Sequence, residues 1–243
     1  MSNIILENKD CFESMRSIRD HSIDLICCDL PYGTTRNKWD SALPLDELWR
    51  EYKRLIRNNG VIVLFSQMPF SARLVASNYE MFKYEWIWEK EQGTGFLNCS
   101  HAPLKKHENI LIFSNGSAGS SSCVNGITFN PQMLAGKAYT TKQGGAGSNY
   151  GRQKETLTIN NGTRNPVDII KFCRDKSRLH PTQKPVKLLE YIIKTYTNEG
   201  DTVLDNCMGS GTCGVACKNL NRNFIGIEKD TNYFNIAKQR MED

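Results

Sequence analysis

The chain has 243 residues, of which 39% are hydrophobic and 23% are charged, and its formal net charge is +5. This length allows one well-packed domain with an insert, and the composition excludes a disordered or fibrous protein. No apolar run approaches the ~18 residues that span a bilayer, so neither a membrane anchor nor a secretion signal is predicted.

Seven short apolar runs, rich in β-branched and aromatic residues, predict seven β-strands. In chain order they cover residues 4–6, 23–28, 61–65, 84–88, 110–113, 202–204 and 224–227. Apolar residues at helical spacing predict helices over 45–56 and over 186–196, the latter after Pro185 at a first-turn position. Strands that alternate with helices and are apolar throughout predict a mostly parallel sheet with helices on both faces, which is a three-layer α/β sandwich.

Residues 114–178 break this alternation. They hold nine of the eighteen glycines, and nine lysines and arginines against three acids, so the positive excess of the chain is confined to them. Concentrated positive charge suits a polyanionic partner, and a solvated basic loop is the simpler alternative. We expect an insert without strong secondary structure before residues 167–172. It separates residues 1–113 from residues 179–243.

A glycine-rich turn follows the predicted strand at 202–204 and precedes a helix. Its residues are Asp205, Asn206, Cys207, Met208, Gly209, Ser210, Gly211 and Thr212. Glycines permit a tight turn and a close approach of a ligand to the backbone, and the first N–H groups of the helix supply donors. Glu228 follows the next strand, where an acid can accept hydrogen bonds from a ribose. Together these features predict a site for a nucleoside-containing cofactor.

Two other interpretations of this turn stay open. The glycines are compatible with a plain turn, and Glu228 or Asp230 with the cap of a helix that begins at Thr231. The segment from Gly209 to Gly214 also matches the GxGxxG pattern of dinucleotide-binding dehydrogenases. A dehydrogenase needs a proton-transfer residue, and its activity does not require a basic insert. The choice between a dehydrogenase and another class of enzyme therefore depends on a second site.

The second site is Asp29-Leu30-Pro31-Tyr32, directly after the buried strand at 23–28. Open α/β sheets bind ligands at this carboxyl edge. The tetrapeptide is similar to the D/N/S-P-P-Y/F motif of methyltransferases that modify exocyclic amino groups, with Leu30 in place of the first proline. The segment from His180 to Pro185 resembles the HPTxKP segment of the same family. Asp10-Cys11 resembles the family's acidic contact to the cofactor adenine, although Asp10 also suits a helix cap.

These residue types suit the methylation of an amino group. The lone pair of an exocyclic amino nitrogen is delocalised into the ring. Hydrogen-bond acceptors that bind the amino hydrogens localise this lone pair on the nitrogen, so that it can attack the methyl group. The Asp29 carboxylate and the Leu30 carbonyl can each accept one hydrogen. Pro31 restrains the turn, and Tyr32 offers a ring to a base that has left the duplex. An ordinary Asp-x-Pro turn is the alternative, and the nearby cofactor turn counts against it.

The order of the motifs resembles that of the circularly permuted β class of DNA amino-methyltransferases, over residues 4–113 and 179–240. The resemblance implies a Rossmann-like methyltransferase fold, S-adenosylmethionine as cofactor, and methyl transfer to a flipped-out base of double-stranded DNA. By its position, the insert is implied to be the target-recognition region, as in site-specific enzymes of restriction–modification systems. Many family members dimerise, so a homodimer is a further expectation.

The resemblance assigns roles to individual residues of this sequence. Catalysis is assigned to Asp29, Leu30, Pro31 and Tyr32. Cofactor binding is assigned to Asp10, Cys11, Asp29, His180, Lys184, Asp205, Cys207, Gly209, Ser210, Gly211, Thr212 and Glu228. DNA contacts are expected from Lys137, Lys142, Arg152, Lys154 and Arg164 in the insert.

The target base and the enzyme class have alternatives. Asp at the first motif position is the usual choice of adenine-N6 enzymes in the family, so adenine is the expected base and cytosine, methylated at N4, is the alternative. A non-catalytic nucleic-acid-binding protein is the more remote alternative.

The cysteines bear on compartment and metal binding. Nine cysteines occur without paired CxxC spacing, which favours reduced thiols in a cytoplasmic protein. Cys213 with Cys217, and Cys99 with His101 and His107, are incomplete ligand sets, so no metal site is predicted.

Overall fold

The computed structural model describes residues 2–33, 42–116, 126–148, 151–175 and 183–242, without the side chains of 143–148 and 151–154. The helices in these ranges are α1 (Cys11–Ser17), α2 (Leu45–Leu55), α3 (Phe70–Ser77), α4 (Val186–Tyr196), α5 (Thr212–Asn219) and α6 (Thr231–Glu242). The strands are β1 (Ile4–Glu7), β2 (Ile23–Cys28), β3 (Ile56–Ser66), β4 (Phe82–Thr94), β5 (Lys105–Phe113), β6 (Leu134–Ala135), β7 (Tyr139–Ser148), β8 (Gly151–Asn160), β9 (Thr163–Arg164), β10 (Ile169–Lys171), β11 (Thr202–Asp205) and β12 (Asn223–Ile227). A short 3₁₀ helix spans Phe96–Asn98.

The central sheet has the strand order β1-β12-β11-β2-β3-β5-β4-β10. Strand β5 runs antiparallel to its neighbours β3 and β4, and the other neighbouring pairs are parallel. Parallel strands place their carboxyl ends at one edge of a sheet, where ligands bind in open α/β folds. The segments that follow β2, β11 and β12 therefore meet at a common edge.

The sheet is buried on both faces, as the continuous apolar strands predict. Alternate residues of β3 belong to different clusters: Val61 and Val63 pack with residues of α4, α5 and α6, whereas Ile62 and Leu64 pack with residues of α1, α2 and α3. Because successive side chains of a strand point to opposite faces, helices cover the sheet from each side. The predicted three-layer α/β sandwich with a mainly parallel sheet is confirmed.

Helix α2 illustrates how local sequence selects these elements. Leu48, Tyr52 and Leu55 follow helical spacing and are fully buried. Asp46 and Glu47 lie in the first turn and basic residues in the last turn, where they complement the helix dipole. The bounds of α2 and α4 match the prediction closely, although Pro185 is the N-cap of α4 and not its first helical residue.

The sheet contains one strand more than the seven predicted. The eighth, β10, pairs in parallel with β4 and has only Ile170 buried, so its three residues carry almost no pattern in the sequence. The expectation that residues before 167 lack strong secondary structure is also wrong. Strands β7 and β8 form an antiparallel ribbon from the pair Tyr139–Asn160 onwards. An exposed two-stranded ribbon has no buried face, so it needs no alternation of apolar residues.

The chain divides into two compact units. The first comprises Met1–Asn130 and Asp168–Asp243 and contains the central sheet and the helices described above. The second, Pro131–Val167, is shorter than the predicted insert and contains the β7–β8 ribbon and the two-stranded β6–β9 pair. None of the helices described in the structure is long and apolar enough to cross a membrane.

Candidate active site

Asp29 follows β2 at the carboxyl edge of the sheet, and both oxygens of its side chain have donors. Tyr32 Oη donates to Asp29 Oδ1 at 2.8 Å. Lys184 lies just before α4, and its Nζ donates to Asp29 Oδ2. The Leu30 side chain is 3% exposed and belongs to the core, so the residue that replaces the first proline of the motif is accommodated by packing. The carboxylate is thus held in one orientation from two sides.

A buried row of alternating charges extends from Asp29 into the sheet. Lys184 Nζ also lies 3.3 Å from Glu108 Oε2, and Lys90 Nζ lies 3.3 Å from Glu108 Oε1. Lys90 is on β4 and Glu108 is on β5, and the side chains of Lys184 and Lys90 are only 8% and 2% exposed. A buried charge is tolerated only when it is paired, and each member here has an opposite neighbour.

The lysines and carboxylates of this row stabilise each other's charged forms. Burial lowers the pKa of Lys184, but the Asp29 and Glu108 carboxylates outweigh burial and hold that pKa above its usual value. Burial raises the pKa of Glu108, but Lys184 and Lys90 outweigh it and hold that pKa below its usual value. Burial, followed by the charge of Asp29, raises the pKa of Tyr32, so its hydroxyl stays protonated and donates. Lys184 therefore stays a cation beside Asp29.

Sequence reasoning expected Lys184 beside the cofactor and assigned no chemistry to Lys90 or Glu108. In the structure, Lys184 lines the same cavity as the glycine-rich turn, but its polar contacts are with the two carboxylates. One available signal was that Lys90 and Glu108 adjoin apolar strands, where charged residues are rarely buried unless they are paired. His180 lies outside the described residues.

The glycine-rich turn links β11 to α5 as predicted. Gly209 and Gly211 have φ values of 51° and 76°, a region that favours glycine. A Cβ added to Gly211 would lie 2.7 Å from Ala237 Cβ and 3.0 Å from Ala237 Cα, so this glycine is also required for the packing of α6. The turn is anchored because Met208 N donates to Ile227 O at 3.0 Å.

Glu228 supports this turn from the next strand. Its Oε2 accepts a hydrogen bond from Gly209 N at 2.9 Å, and its Oε1 accepts one from Asp230 N at 2.7 Å. Asp230 itself accepts from Asn232 N and Tyr233 N, so Asp230 caps α6. Glu228 lines the cavity and keeps lone pairs for a ligand, and the contact with a ribose stays a prediction.

Asp205 is a buried acid in the wall of the cavity, with no ion pair among the described residues. Its Oδ1 accepts from Cys207 N at 3.1 Å. Burial raises the pKa of Asp205 to about 7, against the opposing effect of that backbone hydrogen bond. An unpaired acid in this setting suits a cationic group of a ligand, which would restore the charged form.

We expect Asp205→Asn to stabilise the protein at pH 8. The pKa of Asp205 rises from 3.8 to about 7 on folding, so the unfolded chain ionises first and the native state loses stability as pH rises between those values. Asparagine removes this cost, roughly 1–4 kcal/mol, and keeps the acceptor for Cys207 N. The melting temperatures of wild type and Asp205→Asn at pH 4 and pH 8 measure this gain in stability.

The gain should be much smaller at pH 4, where Asp205 is protonated in the native state and only partly ionised in the unfolded chain. The exposed Asp46, replaced by Asn, serves as control and should show no such pH-dependent gain. A lower melting temperature of Asp205→Asn than of wild type at pH 8 would contradict this account.

The remaining predicted cofactor residues lie around the same cavity. Asp10 is the N-cap of α1, where its Oδ1 accepts from Phe12 N at 3.0 Å, so the capping alternative is correct for Asp10. Asp10 also lines the cavity, as do Cys11, Cys207, Ser210 and Thr212. Their contacts with a cofactor stay predictions.

Two supporting residues were missed by sequence reasoning. Arg240 of α6 donates to Ser210 O at 2.6 Å and to Thr212 Oγ1 at 3.1 Å, so it ties the glycine-rich turn to the last helix. Tyr52 of α2 is fully buried, and its hydroxyl donates to Asn206 Oδ1 at 2.6 Å. Both contacts join segments far apart in the chain.

One cavity of about 1030 Å³ unites these elements. It is lined by Asp29 and Tyr32 on one side and by Asp205, Gly209 and Glu228 on the other. S-Adenosylmethionine carries a nucleoside and a cationic amino acid, and the cavity offers glycine backbone, an acid after β12 and the unpaired acid Asp205. The residues present therefore fit this cofactor, and Asp29 lines the same cavity. Among the described residues, no cluster of ligands suits a metal ion.

The five residues expected to contact DNA all belong to the second unit, Pro131–Val167. Lys137 is exposed, and Lys142 is exposed and pairs with Glu155 at 3.1 Å. Arg164 donates to Asn160 Oδ1 at 2.8 Å and lies 4.7 Å from the centre of the Tyr139 ring, so it braces this unit internally. The side chains of Arg152 and Lys154 lie outside the described part.

Comparisons with known proteins agree with this geometry. The model of the DNA methylase family (N6/N4 methyltransferases) matches residues 23–239. The chain is 29% identical to the type II methyltransferase M.HpaI of Haemophilus parainfluenzae over 96% of this chain and 72% of that protein. It is 27% identical to the type II methyltransferase M2.DpnII of Streptococcus pneumoniae over 99% of this chain and 90% of that protein.

Solved structures show the same fold. The M1.HpyAVI–SAM complex aligns with a TM-score of 0.64 and 28% identity, over 98% of this chain and 99% of that chain. The cytosine-N4-specific PvuII DNA methyltransferase aligns with a TM-score of 0.69 at 15% identity, over 100% of this chain and 88% of that chain, which is a likeness of fold alone.

Proposed function

The chain belongs to the DNA methylase family of N6/N4 methyltransferases, which use S-adenosylmethionine, and from this premise we propose that it methylates the N6 amino group of a flipped-out adenine in double-stranded DNA. The observation that carries the proposal is the Asp29 carboxylate, oriented by Tyr32 and Lys184 in a cavity shared with the glycine-rich turn. The usual presence of Asp at this position in adenine enzymes supports adenine as the base.

The residues of the chain would act on the amino group of the base. When bound, the cofactor supplies an electrophilic methyl group on a sulfonium sulfur. The Asp29 carboxylate accepts a hydrogen bond from one amino hydrogen, and the Leu30 carbonyl accepts a hydrogen bond from the other. These two bonds localise the lone pair on the nitrogen. With the cofactor bound, these two acceptors would hold the nitrogen as it takes the methyl group from sulfur, and the proton that the nitrogen then loses would pass to the Asp29 carboxylate or to water. The positive charge that develops on nitrogen is stabilised by the Asp29 carboxylate.

The cofactor would occupy the other half of the cavity. We assign its amino group to Asp205 and its ribose to Glu228, because each is a cavity-lining acid at the carboxyl edge. Asp10, Cys11, Cys207, Ser210 and Thr212 complete that half in this proposal. The basic second unit is proposed to contact the DNA backbone through Lys137 and Lys142, within a target-recognition region at 114–178.

The direct test identifies the methylated base. Purified protein is incubated with labelled S-adenosylmethionine and DNA of mixed sequence, and the DNA is then digested to nucleosides for mass spectrometry. We expect N6-methyldeoxyadenosine. N4-methyldeoxycytidine would overturn adenine specificity and leave methyl transfer to DNA standing, whereas no methylated nucleoside at all would overturn the proposal.

The two functions assigned to Tyr32 can be separated by substitution. Its ring lies 5.1 Å from the ring of Phe70 at 33°, and its hydroxyl orients Asp29. Tyr32→Phe keeps the ring, so we expect kcat to fall roughly tenfold, the value of a hydrogen bond to a charged group, with little change in KM. Tyr32→Ala should in addition raise KM for DNA, because the flipped base loses its stacking partner.

Steady-state kinetics on one duplex distinguish these outcomes. Equal KM values for Tyr32→Ala and Tyr32→Phe would remove the stacking role from Tyr32. An unchanged kcat for Tyr32→Phe would remove the orienting role of its hydroxyl.

A further inference from the structure

The turn between β4 and β5 displays two large apolar side chains to solvent. Leu97 is 99% exposed and Phe96 is 65% exposed. Exposed apolar residues that occur singly need no explanation, but here two large apolar side chains are adjacent on one short turn. We name the segment from Phe96 to Leu97 the apolar tip.

The apolar tip lies next to the candidate active site. Strand β4 ends at Thr94, and Thr94 lines the same cavity as Asp29 and Tyr32. Strand β4 is parallel to β10 and antiparallel to β5, which in turn is antiparallel to β3, so β3 and β4 end at the same edge. The apolar tip therefore begins two residues beyond the wall of the proposed base pocket.

The turn has a defined local structure. Gly95 adopts a φ of 93° and precedes the 3₁₀ helix Phe96–Asn98. Asn98 N donates to Gly95 O at 3.0 Å, and Ala102 N donates to Asn98 O at 2.9 Å. These bonds satisfy the backbone locally and present both apolar side chains outwards. A preformed projection loses little conformational entropy when it binds.

The charge around the apolar tip identifies the kind of partner. Residues 94–106 contain His101, Lys105 and Lys106 and no Asp or Glu, and of these Lys106 pairs with Glu89 of β4 at 2.8 Å. Apolar side chains flanked by basic residues suit a nucleic acid, in which apolar wedges enter between base pairs while cations contact phosphates. A base that leaves the duplex also leaves a gap in the stack that an apolar group can fill.

We infer that Phe96 and Leu97 form a wedge that enters duplex DNA at the position vacated by the flipped base and keeps that base in the pocket beside Tyr32. This inference rests on the proposed function, since it requires a base that leaves the helix. In energetic terms, the wedge compensates for the stacking lost when the base is extruded.

The test compares duplexes that differ in the cost of flipping. After the methylated sequence has been mapped, Phe96→Ala/Leu97→Ala and wild type are assayed on a fully paired duplex and on the same duplex with a mismatch opposite the target base. For the double variant we expect kcat/KM on the paired duplex to fall roughly ten- to a hundredfold, as for loss of a stacking contact. The mismatch should restore most of the loss, because a mispaired base is easier to flip.

Tyr79→Ala is the matched control. Tyr79 is 75% exposed but precedes the amino end of β4, at the opposite edge of the sheet. Its removal should leave kcat/KM on both duplexes unchanged. Fluorescence of 2-aminopurine at the target position should rise with wild type and Tyr79→Ala on the paired duplex, and much less with the double variant.

The outcomes separate this inference from the proposed function. An unchanged kcat/KM of the double variant on paired DNA, or an equal loss on paired and mismatched DNA, would overturn the wedge. An absence of methyl transfer by wild type on every duplex would instead overturn the proposed function itself.

Discussion

Replacing Asp29 by asparagine is expected to lower methyl transfer by roughly 10³-fold and to leave binding of the cofactor and of DNA largely intact. The amide keeps an acceptor oxygen but has no charge to stabilise the positive nitrogen that forms during transfer. Lys184 keeps Glu108 as a partner at 3.3 Å, so the fold should survive the change. Single-turnover transfer of labelled methyl groups, with separate binding titrations, measures both effects.

Glu108→Gln is the matched control for Asp29→Asn. It removes the other carboxylate of Lys184 and leaves the proposed acceptor in place, so its rate should fall far less. Because Lys90 also loses its partner, rates are compared at a temperature where thermal unfolding shows Glu108→Gln to be folded. Wild-type rates in Asp29→Asn would show that Asp29 is not the acceptor. Loss of cofactor binding in that variant would show that Asp29 acts in cofactor binding, the other role that the resemblance assigns to it.

Replacing Lys184 by methionine should destabilise the protein strongly and slow transfer as well. The change leaves two carboxylates with fewer partners at a site where the lysine side chain is 8% exposed. Removing one member of a buried pair typically costs about 3–5 kcal/mol, which corresponds to a melting temperature lower by roughly 6–20 °C for a chain of this size. Thermal unfolding as a function of pH measures the effect.

The pH dependence of the destabilisation by Lys184→Met shows whether the loss of charge pairs causes it. Glu108 has a lowered pKa, so its pairing stabilises the fold above its usual value of 4.5 and is lost as pH falls through the lower value in the native state. Lys184 has a raised pKa, so its pairing is present below its usual value of 10.5 and is lost as pH rises through the higher native value. The destabilisation by Lys184→Met should therefore be largest near neutral pH and smaller in acid.

Two further variants make this prediction specific. Lys184→Met/Asp29→Asn should recover part of the lost stability, because it removes the carboxylate that has lost its cation, whereas Glu108 keeps Lys90 at 3.3 Å. Lys187→Met changes an exposed lysine of α4 and should have little effect. A destabilisation by Lys184→Met that is equal at every pH would indicate lost packing and would contradict the charge network.

The positions of the main chemical groups follow from the sequence because they depend on local patterns. A continuous apolar run predicts the buried strand β2, and Asp29 must then lie at its carboxyl end. The same reasoning places the turn at Gly209 after β11 and Glu228 after β12. The three-layer arrangement follows from the alternation of such strands with amphipathic helices.

Other features depend on contacts that no local pattern encodes. Strand β10 and the β7–β8 ribbon were missed, because a short edge strand and an exposed ribbon bury few side chains and so show little periodicity. Resemblance placed Lys184 near the cofactor, but its contacts with Asp29 and Glu108 join residues distant in the chain.

The sequence by itself therefore determined the fold class, the edge of the sheet that carries the chemistry and the identity of the acid at that edge. The tertiary structure alone decided which groups hold that acid: Tyr32 on one oxygen, and on the other Lys184, which is paired in turn with Glu108. The physical reason is that buried charges have to be paired across the fold, and the pairs form between strands and helices whose neighbours only the folded sheet defines.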